Sequence, residues 1–247
     1  MLVDYILVGQ GLAGSILANH LINAGCSVMV FDDPLLSNSS KIAGGLYNPV
    51  TGRKMVKTWN ADNLFGYLTD YYPRFQQQLE AGFVNDIPIY RPFISPEELN
   101  EWMGKSADID YSSYVKAVHN SSAYGNQVND DFGGILLNQS GFVDTGKLLN
   151  ASRIFLEEKK SLTQTYFNPA DLKLDEGFAS YQGIKCKSVI FCNGHKSLEQ
   201  QYFGWIPLRP VKGELLMIKT EEDLRVIHNR GVFVIPLGNG ICKVGST

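Results

Sequence analysis

The 247-residue chain is poor in the features that mark several large protein classes. It has four cysteines, Cys26, Cys186, Cys192 and Cys242, and they form no CxxC pair and no metal-like cluster. That excludes a disulfide scaffold and leaves buried or free thiols in a reducing, cytoplasmic compartment as the expectation, with no metal site. No apolar run approaches the ~20 residues that a membrane-spanning helix needs. The first apolar segment is short and has Asp4 in front of it, so it reads as a core strand and not as a secretory leader. No block of basic residues stands out, and 22 Lys+Arg against 25 Asp+Glu leave a net charge of −3, which argues against nucleic acid as the main partner. Repeats and low-complexity segments are missing too. What remains is an ordinary globular composition, long enough for one large domain or two small ones around a substantial core.

Against that plain background one stretch stands out, Gly9-Gln10-Gly11-Leu12-Ala13-Gly14. It follows the apolar run Tyr5-Ile6-Leu7-Val8, which reads as a buried parallel strand, and it opens a helix predicted over residues 12–24. Strand, glycine turn and helix are the context that a dinucleotide fingerprint requires. Gly9 permits the tight turn, Gly11 lets the backbone approach a pyrophosphate, and Gly14 lets the helix pack against the strand. The N–H groups of Leu12 and Ala13 belong to the helix start that would hold phosphate. A second strand over residues 27–31 ends in Asp32, 18 residues after Gly14, where a carboxylate accepts hydrogen bonds from ribose hydroxyls. Asp33 is the rival acid, but it precedes Pro34 and reads as part of the turn. These first 32 residues do not separate FAD from NAD.

Residues 33–53 form a long irregular stretch, and such loops are usually functional or disordered. Inside it, Ser39-Ser40-Lys41-Ile42-Ala43-Gly44-Gly45-Leu46 holds a glycine pair that permits close approach of the backbone to a ligand. A surface loop is the competing reading. Residues 60–82 carry apolar side chains at helical spacing, with aromatics expected in the core and Pro73 expected to kink or divide the helix. Residues 83–93 read as extended strands whose Pro88 and Pro92 suggest edges or bends. Ser95-Pro96-Glu97-Glu98 reads as the capped start of a short helix. Residues 108–129 are polar and hard to assign, with strands of a second sheet one option. A strand over 133–137, a helix from Asp144 or Thr145 to about Glu158, and β-like structure over 161–167 follow. Residues 188–192 read as a fully buried strand ending at Asn193-Gly194, at the carboxyl edge where ligands bind in open α/β sheets. Residues 207–218 and 232–244 read as further strands.

Several of these segments together resemble the FAD-dependent oxidoreductases of the D-amino-acid-oxidase type, which include glycine oxidase, sarcosine oxidase and the oxidase half of a bifunctional tRNA-modifying enzyme. Residues 9–14 with Asp32 are similar to the family's ADP-binding start, and residues 39–45 to its second loop past the pyrophosphate and flavin. Gly141-Phe142-Val143-Asp144 resembles its Gly-x-Val-Asp segment, and Val189-Ile190-Phe191-Cys192-Asn193-Gly194 its strand ending in Ala-Gly, with Asn in place of Ala. Residues 207–214 resemble its Pro-x-x-Pro-x-x-Gly-Gln, and Pro236 with Gly245-Ser246-Thr247 its Pro…Gly-x-Thr. The resemblance implies FAD as cofactor and an α/β fold. It implies a Rossmann-like FAD domain (residues 1–82 with 138–204) interleaved in sequence with a mixed-sheet substrate domain (83–137 with 205–247). Its implied cofactor residues are Gly9, Gly11, Leu12, Ala13, Gly14, Asp32, Asp33, Ser40, Ala43, Gly44, Gly45, Leu46, Val143, Asn193 and Gly194. Family members continue past the Gly-x-Thr segment with more strands, a substrate-anchoring arginine and a glycine-rich segment. The resemblance therefore implies a chain truncated at its C-terminus, with weaker retention of flavin.

In this family the flavin does the hard chemistry and the protein orients and excludes water. The implied reaction is oxidation of an amine or amino acid at its CH–NH bond by hydride transfer to flavin N5, with oxygen or another acceptor taking the electrons. Such a site needs a cation for a substrate carboxylate. Arg53, Tyr47, Asn48 and Lys54 follow the glycine pair, Arg91 and Arg209 lie on substrate-side strands, and Lys212 lies beside a family glycine. His195 follows Asn193-Gly194. A solvated surface residue is the competing reading for each. Two other functions stand beside the first: a flavin dehydrogenase of a hydroxy acid or polyol phosphate, and an inactive fold acting as a scaffold. The expected partner is a small amine or amino acid. No membrane partner is expected, and a modified tRNA stays open because one branch of the family handles it.

Overall fold

The computed structural model describes residues 1–52 and 54–246. The chain divides into two compact units, each drawn from separated segments: Met1–Ala43, Leu79–Ala81 and Thr145–Lys212 in the first, Gly44–Gln78, Gly82–Asp144 and Gly213–Thr247 in the second. Both are built from mixed α/β structure.

The first unit is a six-stranded sheet in the order Leu162–Thr163, Val28–Phe31, Leu2–Val8, Ile184–Phe191, Phe178–Tyr181, Lys173–Asp175. The first four strands are parallel and the last two antiparallel. Residues alternate between two cores. Leu7, Val28 and Val30 pack with Ala18 of helix Leu12–Asn23 and Leu156 of helix Thr145–Glu158. Ile6, Val8, Met29 and Phe31 pack on the opposite face with Phe167, Leu172 and Tyr181. Because both faces are covered, these strands read as continuous apolar runs. The strand at 188–192 departs from its reading as fully buried. It runs over Ile184–Phe191, with Ser188 exposed and Val189, Ile190 and Phe191 half-buried. Its antiparallel neighbour pairs only with Ile184, Lys185 and Cys186, which leaves the later residues bordered by Leu2–Val8 alone among the described strands. Residues 161–167 hold only the short strand Leu162–Thr163. The Thr165 N–H turns back to the Thr163 carbonyl (3.0 Å), and Phe167 enters the aromatic cluster instead of continuing the strand.

The second unit contains a seven-stranded sheet in the order Leu215–Lys219, Ile241–Gly245, Val232–Gly238, Ile227–Arg230, Ile89–Pro92, Gly134–Leu137, Val115–His119. One face packs Ile89, Ile135, Leu137, Ile227, Phe233 and Ile235 against Phe65 and Trp102 of helices Ala61–Gln78 and Pro96–Lys105. A smaller sheet joins Leu46–Tyr47, Gly141–Val143 and Val84–Asp86. Ser95 caps Pro96–Lys105 as its sequence predicts.

Four readings change here. Ile89–Pro92 lies inside the large sheet, not at an edge. Its parallel neighbour pairs only with Ile89 and Tyr90, so the N–H that Pro92 lacks is not needed there. Pro73 leaves helix Ala61–Gln78 undivided. It sits on the exposed side, where water can satisfy the carbonyl it strands, while Tyr71 and Phe75 are buried. Residues 207–214 are irregular and exposed, with Pro207 and Pro210 unable to donate to a sheet, and only Leu215–Lys219 forms a strand. The expected strand over 232–244 is a hairpin, Val232–Gly238 and Ile241–Gly245, turning through Asn239 and Gly240 at φ 53° and 71°.

Candidate functional site

The glycine turn is fixed by crowding. Gly9 takes φ 103°, a conformation that suits glycine, and a Cβ there would lie 2.7 Å from the Cys192 carbonyl oxygen. A Cβ on Gly14 would lie 1.9 Å from the Gly9 carbonyl oxygen, and one on Gly11 3.0 Å from Ser40 Oγ. The turn is therefore pressed against the end of strand Ile184–Phe191, against its own helix, and against the helix Ser39–Ile42. Helix Leu12–Asn23 starts at Gly11 with no side-chain cap and no acid in its first turn. Its N-terminal N–H groups and dipole favour an anion, and the first of them, on Leu12, donates to Ser40 Oγ at 3.1 Å.

Asp32 follows strand Val28–Phe31, and its Oδ1 accepts the Gln10 N–H at 2.8 Å. Asp33 Oδ1 accepts the Leu35 N–H at 2.9 Å, which makes it a turn residue. At the carboxyl edge, Asn193 Oδ1 accepts from Ser197 Oγ (2.7 Å) and Gln200 Nε2 (3.4 Å). Gln200 is buried, and its Oε1 has no hydrogen-bond partner among the described residues. Burial pushes the Cys192 thiol pKa up, so it stays protonated.

Between these groups lies a cavity of about 420 Å³, entirely within the first unit. Its size suits a nucleotide portion of a cofactor. Gly9, Gly11, Asp32, Asp33, Ser40, Asn193 and Gly194 line it. So do Phe167, Asn168, Pro169 and Gln200, which no sequence pattern singled out. The only hint was their place after the third parallel strand and after Asn193-Gly194. Leu12, Ala13, Gly14 and Ala43 do not line the cavity. Leu12 bonds to the lining residue Ser40, Gly14 packs against the Gly9 carbonyl, and Ala43 accepts Thr145 Oγ1 at 3.4 Å.

Four further expected cofactor residues meet in the second unit. The Val143 N–H donates to the Gly45 carbonyl at 2.9 Å, and Leu46 pairs with Phe142 in the small sheet. A Cβ on Gly44 would lie 2.9 Å from the Phe233 ring. Tyr47 donates its hydroxyl to Asp86 and to the Asn85 carbonyl, and burial with the Asp86 charge pushes its pKa far above the phenolic range. Arg91, on strand Ile89–Pro92 of the large sheet, is buried, donating to the Gly52 carbonyl (3.3 Å) and lying 3.9 Å from Glu98, which also takes two bonds from Arg230 (2.8 and 2.9 Å). Burial and the Arg230 charge lower the Arg91 pKa. Asn48 Oδ1 accepts the Val50 N–H. Lys54, His195, Arg209 and Lys212 are exposed, and His195 borders the cavity. Arg53 lies outside the described residues, as does Thr247. Among the described residues, no group of three or more His, Cys, Asp or Glu is placed to hold a metal ion, and no helix is long and apolar enough to cross a membrane.

A parallel sheet with a glycine turn feeding a helix, an acid closing the second strand, and a cavity at the carboxyl edge defines a dinucleotide-binding protein. Residues 4–247 match the model of one family, the DAO FAD dependent oxidoreductases, and the chain belongs to it. It is an FAD-dependent oxidoreductase. In fold it is similar to glycine oxidase from Geobacillus kaustophilus (TM-score 0.75, 14% identity, covering 100% of this chain and 71% of that one). It is likewise similar to iminodiacetate oxidase from Chelativorans sp. BNC1 (TM-score 0.75, 15% identity, 99% and 71%). A third similar structure is FAD-bound L-α-glycerophosphate oxidase from Mycoplasma pneumoniae (TM-score 0.71, 15% identity, 100% and 71%).

Proposed function

We propose that this protein oxidises the CH–NH bond of a small amine or amino acid. The observation that carries this reading is the fold shared, over essentially the whole chain, with glycine oxidase and iminodiacetate oxidase, whose names give them substrates of that class. The similar L-α-glycerophosphate oxidase favours a second reading, oxidation of an alcohol on a polyol phosphate.

In the proposed assignment the first unit is the FAD domain and the second the substrate domain. The cavity suits the ADP half of FAD on geometric grounds: Gly9 and Gly11 sit where a side chain would collide, Asp32 stands at the ribose end, and the buried Gln200 Oε1 awaits a donor. The glycine turn, through Gly9 and Gly11, faces the pyrophosphate, and Asn193 and Gly194 line the same cavity. Gly44, Gly45, Leu46 and Val143 supply close-packed backbone for the flavin end. Bound FAD supplies the two-electron acceptor for a substrate hydride. Arg91 offers a guanidinium for a substrate carboxylate, and Arg53, which lies outside the described residues, is the alternative from the segment after the glycine pair. Tyr47 keeps its hydroxyl proton, which it donates in a hydrogen bond to Asp86, and does not act as an acid. No side-chain base is needed when the amine enters neutral.

The test is anaerobic mixing of the FAD-loaded protein with amines, amino acids, 2-hydroxy acids and polyol phosphates. Loss of oxidised-flavin absorbance with an amino acid or amine is the expected result. Bleaching only by an alcohol establishes the second reading. A colourless protein that takes up no added FAD overturns both.

A further inference from the structure

Gln10 occupies the middle of the glycine turn, a position that the sequence pattern leaves unspecified, yet only 2% of its surface is exposed. Its side chain turns away from the cavity and is held from three directions. Nε2 donates to Ser15 Oγ (3.0 Å) in the first turn of helix Leu12–Asn23 and to the Leu149 carbonyl (2.9 Å) in helix Thr145–Glu158. Oε1 faces Arg153 Nε at 3.5 Å, one turn further along that second helix. Ser15 Oγ in turn donates to the Gln10 carbonyl at 3.4 Å, and the Gln10 N–H ends on Asp32 Oδ1 at 2.8 Å.

We infer that Gln10 is a positioning residue for cofactor selection: its buried amide locks the turn to helix Thr145–Glu158 and thereby aims the Asp32 carboxylate at the ribose. The inference rests on the reading of Asp32 as the ribose acceptor. A buried amide whose donors and acceptor are all engaged has one low-energy placement, because any shift strands a polar group away from water. The same residue's backbone N–H fixes one oxygen of Asp32. Movement of the side chain is therefore transmitted to the carboxylate through a single peptide unit. The glycines supply permission for the turn, and Gln10 supplies its position.

Gln10→Met keeps the length and apolar volume of the side chain and removes its hydrogen bonds. Ser15→Ala removes one of the amide's acceptors. The readout is the affinity of the full chain, freed of flavin, for ADP and for its 2′,3′-dideoxy analogue, measured by calorimetry alongside the melting temperature. Wild-type protein is expected to favour ADP by roughly tenfold or more, the scale of a hydrogen bond to a charged group. In Gln10→Met that ratio falls to about threefold or less, with an intermediate ratio in Ser15→Ala, because the hydroxyl-dependent part of binding is what Asp32 supplies. A purely structural role would weaken both nucleotides together and leave the ratio unchanged. A wild-type ratio that survives Gln10→Met overturns the inference alone. Equal binding of both nucleotides by the wild type overturns the ribose assignment of Asp32 and the inference with it. If Gln10→Met does not fold, an unchanged ratio in Ser15→Ala overturns the inference, and a reduced one supports it.

Discussion

Gly14 and Gly66 both lie inside helices, and a methyl group at each meets different surroundings. At Gly14 the added carbon would sit 1.9 Å from the Gly9 carbonyl oxygen, which belongs to backbone and cannot swing aside. Gly14→Ala must therefore push the helix off the turn, and FAD affinity is expected to fall by about 100-fold or more, with a loss of some 2–4 kcal/mol in stability, on the scale of overpacking and strain. At Gly66 a Cβ meets nothing within 4 Å among the described residues, and φ is not positive. Gly66→Ala is expected to stabilise the protein by about 0.5–1 kcal/mol and to leave FAD binding unchanged. Chemical denaturation with flavin titration on both variants checks the pair, and a Gly14→Ala protein that binds FAD normally removes the crowding argument. Gly14 was legible in the sequence because its spacing from Gly9 and Gly11 is a local pattern. The role of Gln10 was not, because its partners Leu149 and Arg153 lie 139 and 143 residues away and no local pattern marks them.

Among the elements, residues 120–130 show how a polar, unassignable stretch acquires order. Buried Asp130 accepts the Tyr90 hydroxyl (2.8 Å), the Ala123 and Tyr124 N–H groups (2.8 and 2.9 Å) and the Ser122 hydroxyl. Burial pushes its pKa up, but those four donors outweigh it and hold the carboxylate below its usual range. The donors come from two places in the chain, so neither periodicity nor turn chemistry announces the loop. The Asn239-Gly240 turn, by contrast, was open to reading, since that dipeptide between apolar strands is a strong hairpin signal. His228 packs edge-on to Tyr90 and Tyr124 (6.0 and 5.7 Å), and its Nε2 meets Gln127 Oε1 at 3.1 Å. His119 and Asp130 are the other titratable neighbours of that cluster, and burial lowers the His228 pKa although the Asp130 charge opposes it. A histidine with a depressed folded pKa is protonated first in the unfolded chain. Stability is then lost as pH falls below about 6.5, the unfolded value, until the folded pKa is reached. Unfolding midpoints of the wild type should fall across that window, and His228→Gln should flatten the slope. An identical slope in the variant would assign the acid sensitivity elsewhere.

At the scale of the molecule, each unit gathers segments far apart in sequence. Ile227 pairs with Ile89, and Val189 with Ile6. Parallel pairing of this kind has no local sequence signature, so a motif such as residues 9–14 is a local pattern while the pairing of distant strands is not. The separation has a consequence for cofactor binding. Every described residue that lines the cavity belongs to the first unit, so ADP alone should engage that unit without the second. A ligand that binds only the folded form raises stability by about 2.7 kcal/mol at one hundred times its Kd, and it does so where its contacts are. Hydrogen exchange of the full chain with saturating ADP should therefore slow at residues 9–15, 38–43, 166–170 and 193–201. The Asp130 loop and the hairpin through Asn239 and Gly240 should exchange as before. FAD, which adds the flavin end, should extend protection to residues 44–47 and 141–143, where Val143 meets Gly45. Protection by FAD that stops where protection by ADP stops would show that the Gly44-Gly45 segment takes no part in holding the cofactor. The assignment of those residues to the flavin end would then fall, while the ADP site stood.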